Sequence, residues 1–151
     1  MINIVYHKVI SKDEIEILHN KESIYKGFSY KYGKKTIDLL KNNFNRENSL
    51  YIVAKQEDEF VGFVSCDTDW WENNCFFIRE IFVNPDFQKQ EIGKKLMEDC
   101  INHAKKHKSQ YVITETAFEN LPMQKLCAKL GFEEWNNPEW KDGITYKLTL
   151  S

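Results

Sequence analysis

One stretch of the sequence, residues 81–96, combines a strand end, a turn and a helix start in an arrangement that can bind anions. An apolar run ends at Val83, Asn84-Pro85-Asp86 breaks the strand, and apolar residues recur at helical spacing from Ile92. Backbone N–H groups at a helix start have no partner within the helix, and the helix dipole adds about half a positive charge there. This turn can therefore hold a phosphate or pyrophosphate group.

The residues around that helix start form the candidate phosphate loop. Gly93 has no side chain and lets a ligand approach the backbone closely. Glu91 stands beside it, and its carboxylate would repel a phosphate unless the side chain points into solvent and only the N–H group is used. The predicted members of this loop are Gln88, Lys89, Gln90, Glu91, Ile92, Gly93 and Lys94.

The elements that position the loop predict one mixed α/β domain over residues 1–151, with a central mixed sheet flanked by about four helices. The strand and helix patterns alternate in the order β-α-α-β-β-β-α-β-α-β, with a further strand near Phe132. A strand-helix-strand unit implies some parallel pairing in the sheet. The predicted strands are 2–9, 50–54, 60–64, 75–83, 111–114 and 144–150; the predicted helices begin near Lys12, after Gly33 and at Ile92, with a last one around 123–130.

Composition excludes several classes of protein. The 151 residues are 42% apolar, enough for one core, and the formal net charge of −2 argues against nucleic acid as a partner. The four cysteines are widely spaced and form no Cys-x-x-Cys pair, which favours reduced thiols and no metal. With no export signal and no apolar run near 18 residues, we expect a cytoplasmic protein that does not bind a membrane.

Two motifs resemble those of the GNAT acetyltransferases. Gln88-x-x-Glu91-x-Gly93 is similar to their Arg/Gln-x-x-Gly-x-Gly/Ala pyrophosphate loop, with glutamate in place of the first glycine. Residues 120–132 resemble their Asn-x-x-Ala-x-x-x-Tyr-x-x-x-Gly-Phe motif at Asn120 and at Gly131-Phe132. With the order of elements, the resemblance covers essentially the whole chain. It implies the GNAT fold and acetyl-coenzyme A (acetyl-CoA) as cosubstrate, with transfer of the acetyl group to an amine.

The resemblance also implies roles for individual residues. The strand ending Ile81-Phe82-Val83 would pair its backbone with pantetheine and polarise the thioester carbonyl, and Asn120 would contact the pantetheine or pyrophosphate arm. Glu80 would be the general base, acting through water; the alternative is an ion pair with a cation such as Arg79. Cys127 stands where many family members carry a tyrosine acid, and it is either a catalytic thiol or an inert core residue.

The acceptor is predicted to be a small cationic amine. The motif-bearing half of the chain has some likeness to aminoglycoside 6′-N-acetyltransferases, and this resemblance implies an aminoglycoside-like or polyamine-like acceptor. Carboxylates beside indoles suit such a cation, and aromatic residues near Tyr30 would form an opposite wall. Packing in the core or at a dimer interface is the alternative for the tryptophans. A protein or peptide acceptor, a non-catalytic acyl-CoA sensor and a homodimer stay open. The predicted substrate residues are Tyr30, Asp67, Asp69, Trp70 and Trp71.

Overall fold

The computed structural model of the chain describes residues 3–16, 33–72 and 74–150, except for the side chains of residues 88–90. The strands are β1 (Val5–Lys8), β2 (Leu50–Gln56), β3 (Glu59–Asp67), β4 (Cys75–Val83), β5 (Tyr111–Thr116), β6 (Glu133–Trp135) and β7 (Ile144–Thr149). The helices described are α1 (Lys12–Glu16), α2 (Lys34–Phe44), α3 (Ile92–Lys106) and α4 (Leu121–Lys129), and a 3₁₀ helix (Pro85–Gln90) joins β4 to α3.

All seven strands belong to one mixed sheet in the order β1-β2-β3-β4-β5-β7-β6. The pairs β1–β2, β2–β3, β3–β4, β5–β7 and β6–β7 are antiparallel, whereas β4 and β5 are parallel and are joined through α3. The predicted mixed sheet, its parallel pair and the additional strand near Phe132 are therefore confirmed. The parallel pair sits at the centre of the sheet.

Apolar residues cover both faces of the sheet. On one face, α3 and α4 pack Leu96, Cys100 and Cys127 against the inward side chains of β2 to β5. On the other face, α1 and α2 contribute Ile15 and Leu40 to a smaller cluster with the aromatic side chains of β2 and β3. The result is a helix–sheet–helix sandwich in which α3, the predicted central helix, lies beneath the parallel pair.

Local sequence signals explain the helix boundaries. The capping-box pattern starts α1, because the Glu14 carboxylate accepts the Ser11 N–H group at 3.2 Å and the Ile10 N–H group at 2.6 Å. Gly33 precedes α2 as its N-cap. Gly131 follows α4 with φ of 93°, a conformation that glycine adopts without strain, so the predicted left-handed stop is confirmed.

Gly62 in β3 decides how closely α3 approaches the sheet. A β-carbon added there would meet Cγ2 of Ile92 at 3.0 Å and the Phe82 carbonyl oxygen at 3.3 Å. Because this position has no side chain, the first residue of α3 packs directly on β3 and lies beside the end of β4. The phosphate loop predicted from the sequence is thus fixed against the sheet.

In the described residues, no helix has the length and apolar character needed to cross a membrane. Those same residues contain no group of three or more His, Cys, Asp or Glu side chains placed to hold a metal ion. All four cysteines are buried as unbridged thiols.

Candidate functional site

The two parallel strands at the centre of the sheet separate before β4 ends. Their pairing stops at Ile78 and Thr114, although β4 runs on to Val83. Beyond that point β5 stays with β7, through Glu115 and Thr116, while β4 stays with β3. Beyond Ile78, residues 80–83 of β4 therefore pair with β3 and with no other described strand. A V-shaped opening results, with strand edges on its two sides.

A cavity of about 640 Å³ runs from the unpaired edge at the end of β4 along the start of α3 to α4. Its volume is within the range of about 300–1,000 Å³ that is usual for small-molecule sites. Backbone N–H and C=O groups on the open edge of β4 can hydrogen-bond an extended ligand as a neighbouring strand would. The described lining residues are Ile81, Phe82, Val83, Pro85, Glu91, Gly93, Lys94, Asn120, Pro122, Met123, Leu126 and Lys129.

A β-bulge in β4 sets which side chains face this opening. Ser65 pairs with Glu80 and the next residue, Cys66, pairs with Ile78, so Arg79 is the extra residue. After the bulge, Ile81 and Val83 join the cluster beneath α3, and Phe82 joins the opposite cluster. Glu80 lies two residues from Phe82 and shares its face. The acid predicted as general base therefore lies on the side of the sheet away from α3.

The start of α3 has the features of an anion site. Glu91, its N-cap, adopts φ of 58° and ψ of 24°, and its side chain makes no capping hydrogen bond to the helix. The first N–H groups of α3 are left without intrahelical acceptors, and Gly93 and Lys94 line the cavity. A β-carbon at Gly93 would meet Leu126 at 3.4 Å and Val83 at 3.6 Å, which are ordinary contacts. Packing within the protein alone therefore does not require glycine there.

Comparison with known proteins agrees with this geometry. Residues 16–132 match the Acetyltransferase (GNAT) family. The chain belongs to the GNAT acetyltransferase family. It is 33% identical, over 133 residues, to an uncharacterized N-acetyltransferase of Methanocaldococcus jannaschii; the alignment covers 83% of this chain and 59% of that protein. The chain thus spans about three fifths of the length of that relative.

Solved GNAT structures have the same fold. An acetyltransferase of the GNAT family from Staphylococcus aureus superposes with a TM-score of 0.77 at 19% identity, over 99% of this chain and 100% of that one. The PaiA N-acetyltransferase of Thermoplasma acidophilum, in complex with coenzyme A, superposes with a TM-score of 0.70 at 16% identity, over 98% and 99% of the two chains. The predicted GNAT fold is therefore confirmed.

Within this GNAT domain, most of the residues predicted to hold the coenzyme meet in one cavity. The described lining contains Ile81, Phe82, Val83, Glu91, Gly93, Lys94 and Asn120 from that prediction. Ile92 is fully buried beneath the sheet, so that its backbone and not its side chain faces the loop. The side chains of Gln88, Lys89 and Gln90 lie outside the described part of the structure. Asn120 also caps α4, because its Oδ1 atom accepts the Met123 N–H group at 3.2 Å.

Cys127 has the environment of a core residue. It is fully buried, packs with the cluster beneath the sheet and is not among the described residues that line the cavity. Burial raises the pKa of its thiol to about 12. A thiol placed there has no path to a reacting group in the cavity. Of the two roles that the GNAT resemblance left for Cys127, these observations favour packing.

Asp67 and Asp69 are engaged within the fold. Asp67 is completely buried, and both of its carboxylate oxygens accept from the Arg79 guanidinium at 3.0 Å. Arg79 also donates to the Asp69 carboxylate at 3.2 Å. The position of Asp67 therefore contradicts its predicted use in substrate binding, because no cation can reach it. Arg79 is thus paired with these two acids.

The tryptophans lie far from the cavity. Trp70 packs 5.0 Å from Phe77, and five residues of strand, about 16 Å, separate Phe77 from Phe82 at the cavity. Trp71 stacks on Trp70 at 5.5 Å and lies 5.6 Å from Trp135. The positions of Trp70 and Trp71 thus do not support the prediction that they belong to an amine pocket at the reacting end of the coenzyme. Tyr30 lies outside the described residues.

Lys147, near the predicted tryptophan pair, is held by aromatic rings and a carboxylate. Its Nζ atom lies 4.0 Å from the centre of the Tyr111 ring and 4.9 Å from that of Trp135. The same nitrogen is 3.4 Å from the Glu72 carboxylate. Aromatic faces and a carboxylate thus surround a cation of the protein here, through residues other than the predicted Asp67, Asp69, Trp70 and Trp71.

Glu115 is a half-buried acid at the separation of β4 and β5 that sequence reasoning did not single out. It follows Thr114 at the point where β5 leaves β4, and it shares a sheet face with Ile113. Burial raises the pKa of its carboxyl group, against a smaller lowering by Arg79. The Asn137 side-chain amide donates to it at 3.3 Å and to the Thr145 hydroxyl at 3.1 Å. The sequence did contain a signal for Glu115: it continues the alternation of Tyr111 and Ile113, which puts an acid on their face of a central strand.

Proposed function

We propose that this domain binds acetyl-CoA in the cavity between β4, α3 and α4 and transfers the acetyl group to a primary amine. The observation that carries the proposal is that one cavity joins the open edge of β4 to the N-terminus of α3. The first can pair with the amides of an extended arm and the second can hold a pyrophosphate. Coenzyme A has both of these parts.

The protein's contribution to coenzyme binding would come mainly from its backbone. N–H groups at the start of α3 would hold the pyrophosphate, with Lys94 adding charge at the same end. The backbone of Ile81 and Phe82 would hold the pantetheine and donate a hydrogen bond to the thioester carbonyl oxygen. Such a donor stabilises the negative charge that develops on that oxygen during attack.

Acetyl-CoA supplies an activated acetyl group, and the nitrogen of a neutral amine forms the new C–N bond as the C–S bond breaks. The ammonium form of the amine must first lose a proton. Glu80 and Glu115 follow the separation of β4 and β5 on the same face of the sheet, and this shared position supports one of them as the proposed acceptor of that proton, directly or through water. Burial raises the pKa of Glu115, and a raised carboxyl pKa favours proton uptake near neutral pH.

The departing thiolate would take its proton from water. Cys127 is enclosed in the core, so it is not offered as the acid. A coenzyme A thiolate is a fair leaving group, and transfer requires no other protein donor at this step. A cationic small amine remains the proposed acceptor, now because of Glu115 and Glu80 and not because of Asp67 or the tryptophans.

Release of free thiol from acetyl-CoA, measured with a panel of mono- and polyamines, aminoglycosides and lysine peptides, tests this proposal. We expect amine-dependent thiol release that favours polycations. Release with peptides alone would identify a protein acceptor. Saturable coenzyme binding without release by any amine would favour a sensor domain and contradict the enzyme. Absence of coenzyme binding would contradict the whole proposal.

The proton acceptor can be identified separately through the pH profile. Glu115→Gln and Glu80→Gln are compared with the unchanged protein in kcat/KM between pH 6 and 9. Loss of the base should reduce the rate chiefly at the lower pH values, where more of the amine is protonated. A variant whose profile is parallel to that of the unchanged protein has not lost the base, and that residue would be removed from the mechanism.

A further inference from the structure

An acidic and a basic side chain face each other across the cavity. Glu91, at the start of α3, and Lys129, at the end of α4, both line it. The Glu91 Oε1 atom lies 3.9 Å from the Lys129 Nζ atom, and the two side chains are 69% and 61% exposed. The pair spans the helices that border the site, and ligand and solvent can both reach it.

Neither charge has a structural task that would explain its position. The Glu91 side chain does not cap α3, although an acid at a helix start often does so. An exposed ion pair at this distance contributes little to stability, so the fold does not depend on it. The pair does affect ligand binding, because a carboxylate beside the helix start competes with any anion that binds there.

We propose that Lys129 is a phosphate-binding residue of the coenzyme site and that Glu91 holds it in the unliganded protein. On binding, the Lys129 ammonium would exchange the Glu91 carboxylate for a phosphate of the coenzyme. A phosphate carries more negative charge and more acceptor oxygens than a carboxylate, so the exchange is favourable for Lys129. Glu91 then stays near the phosphates and opposes them. Glu91 thereby sets coenzyme affinity below what the loop and Lys129 would give without it.

This inference rests on the proposed coenzyme site, and calorimetric titration with coenzyme A tests the two separately. The titrations use the unchanged protein, Glu91→Gln, Lys129→Met and the double variant. Glu91→Gln should tighten binding and Lys129→Met should weaken it, each by on the order of 3- to 10-fold. Lys129→Met should weaken binding by a larger factor when Glu91 is already replaced by glutamine. In that variant the Lys129 ammonium no longer divides its interaction between the Glu91 carboxylate and the phosphate.

Two matched variants control for simple changes in net charge. Lys125→Met removes a lysine one turn earlier on α4, which is exposed and not among the described lining residues, and its dissociation constant should stay unchanged. Lys129→Arg keeps the charge and should restore affinity. Dephospho-coenzyme A identifies the phosphate: if Lys129 binds the 3′-phosphate, Lys129→Met will not weaken binding of this analogue, and if it binds the pyrophosphate, the loss persists.

The outcomes are distinguishable. If the unchanged protein does not bind coenzyme A, the proposed function fails and the inference fails with it. If coenzyme A binds but Lys129→Met and Lys125→Met have equal effects, the proposed role of Lys129 is overturned and the coenzyme site stands. Weaker binding by Glu91→Gln would overturn the role of Glu91 as a competitor.

Discussion

The buried contact between Asp67 and Arg79 should stabilise the fold strongly, and breaking it is a direct test of our account of the acids. Asp67 is fully buried, and two hydrogen bonds of 3.0 Å join it to a guanidinium that is 14% exposed. Removing one partner of such a pair typically costs about 3–5 kcal/mol, because it leaves a buried charge without compensation. Arg79→Met should cost this much in the free energy of unfolding, and Asp67→Asn a similar amount.

Those costs are large for a domain of this size. Total stability is usually about 5–15 kcal/mol, and each kcal/mol shifts the midpoint of thermal unfolding by about 2–4 °C at 150 residues. We therefore expect the midpoint to fall by about 6–20 °C for either single variant. The double variant Asp67→Asn/Arg79→Met should recover about 1–3 kcal/mol relative to the sum of the two.

Urea unfolding followed by tryptophan fluorescence measures these changes, with thermal melts as a second readout. Lys34→Met is the control, because it breaks the exposed pair with Asp38 at 3.3 Å and should change stability by less than about 0.5 kcal/mol. A cost below about 1 kcal/mol for Asp67→Asn, or strict additivity in the double variant, would refute the reasoning. Asp67 would then again be a candidate substrate-binding residue.

Three further predictions follow from single positions. Cys127→Ala should leave thiol release from acetyl-CoA unchanged and cost about 1–2 kcal/mol in urea unfolding, and a large loss of turnover would restore a catalytic thiol. Because the folded pKa of Glu115 is raised, its stabilising contribution is present below the unfolded pKa of about 4.3 and is lost as pH rises through the folded pKa. The stability of Glu115→Gln relative to the unchanged protein should therefore rise with pH from about 4, and a pH-independent difference would contradict this. Gly62→Ala should destabilise by about 1–3 kcal/mol in the same assay, since its β-carbon would meet Ile92 at 3.0 Å, and a neutral result would mean that α3 shifts freely.

Much of the coenzyme cavity could be predicted because its signals are local. The strand end at Val83, the turn at Pro85 and the helix start at Ile92 lie next to one another in the chain, and each follows from the types of a few neighbouring residues. The lining residues from α4 other than Asn120 were not predicted. They reach the cavity because α4 packs beside α3, and nothing within α4 itself indicates that contact.

The acceptor side was predicted less well because it depends on pairing between distant segments. The register of β3 against β4 brings Asp67 to Arg79, and the bulge at Arg79 turns Glu80 to the face away from α3. The Asp67 carboxylate, which the sequence suggested for substrate binding, is thus paired with an arginine twelve residues away. Lys147, on β7, likewise comes to Trp135 and Glu72 only through the pairing of strands that are far apart in the sequence.

By itself, the sequence determined the order of helices and strands, the family and the phosphate loop, because turn, cap and periodicity signals act over a few residues. Only the tertiary structure decided which charges are satisfied within the protein and which face the site. Glu115 became a candidate through burial and its contact with Asn137, and Lys129 through its distance from Glu91. Burial and charge pairing depend on the spacing of side chains in three dimensions, which is set only when the sheet has formed.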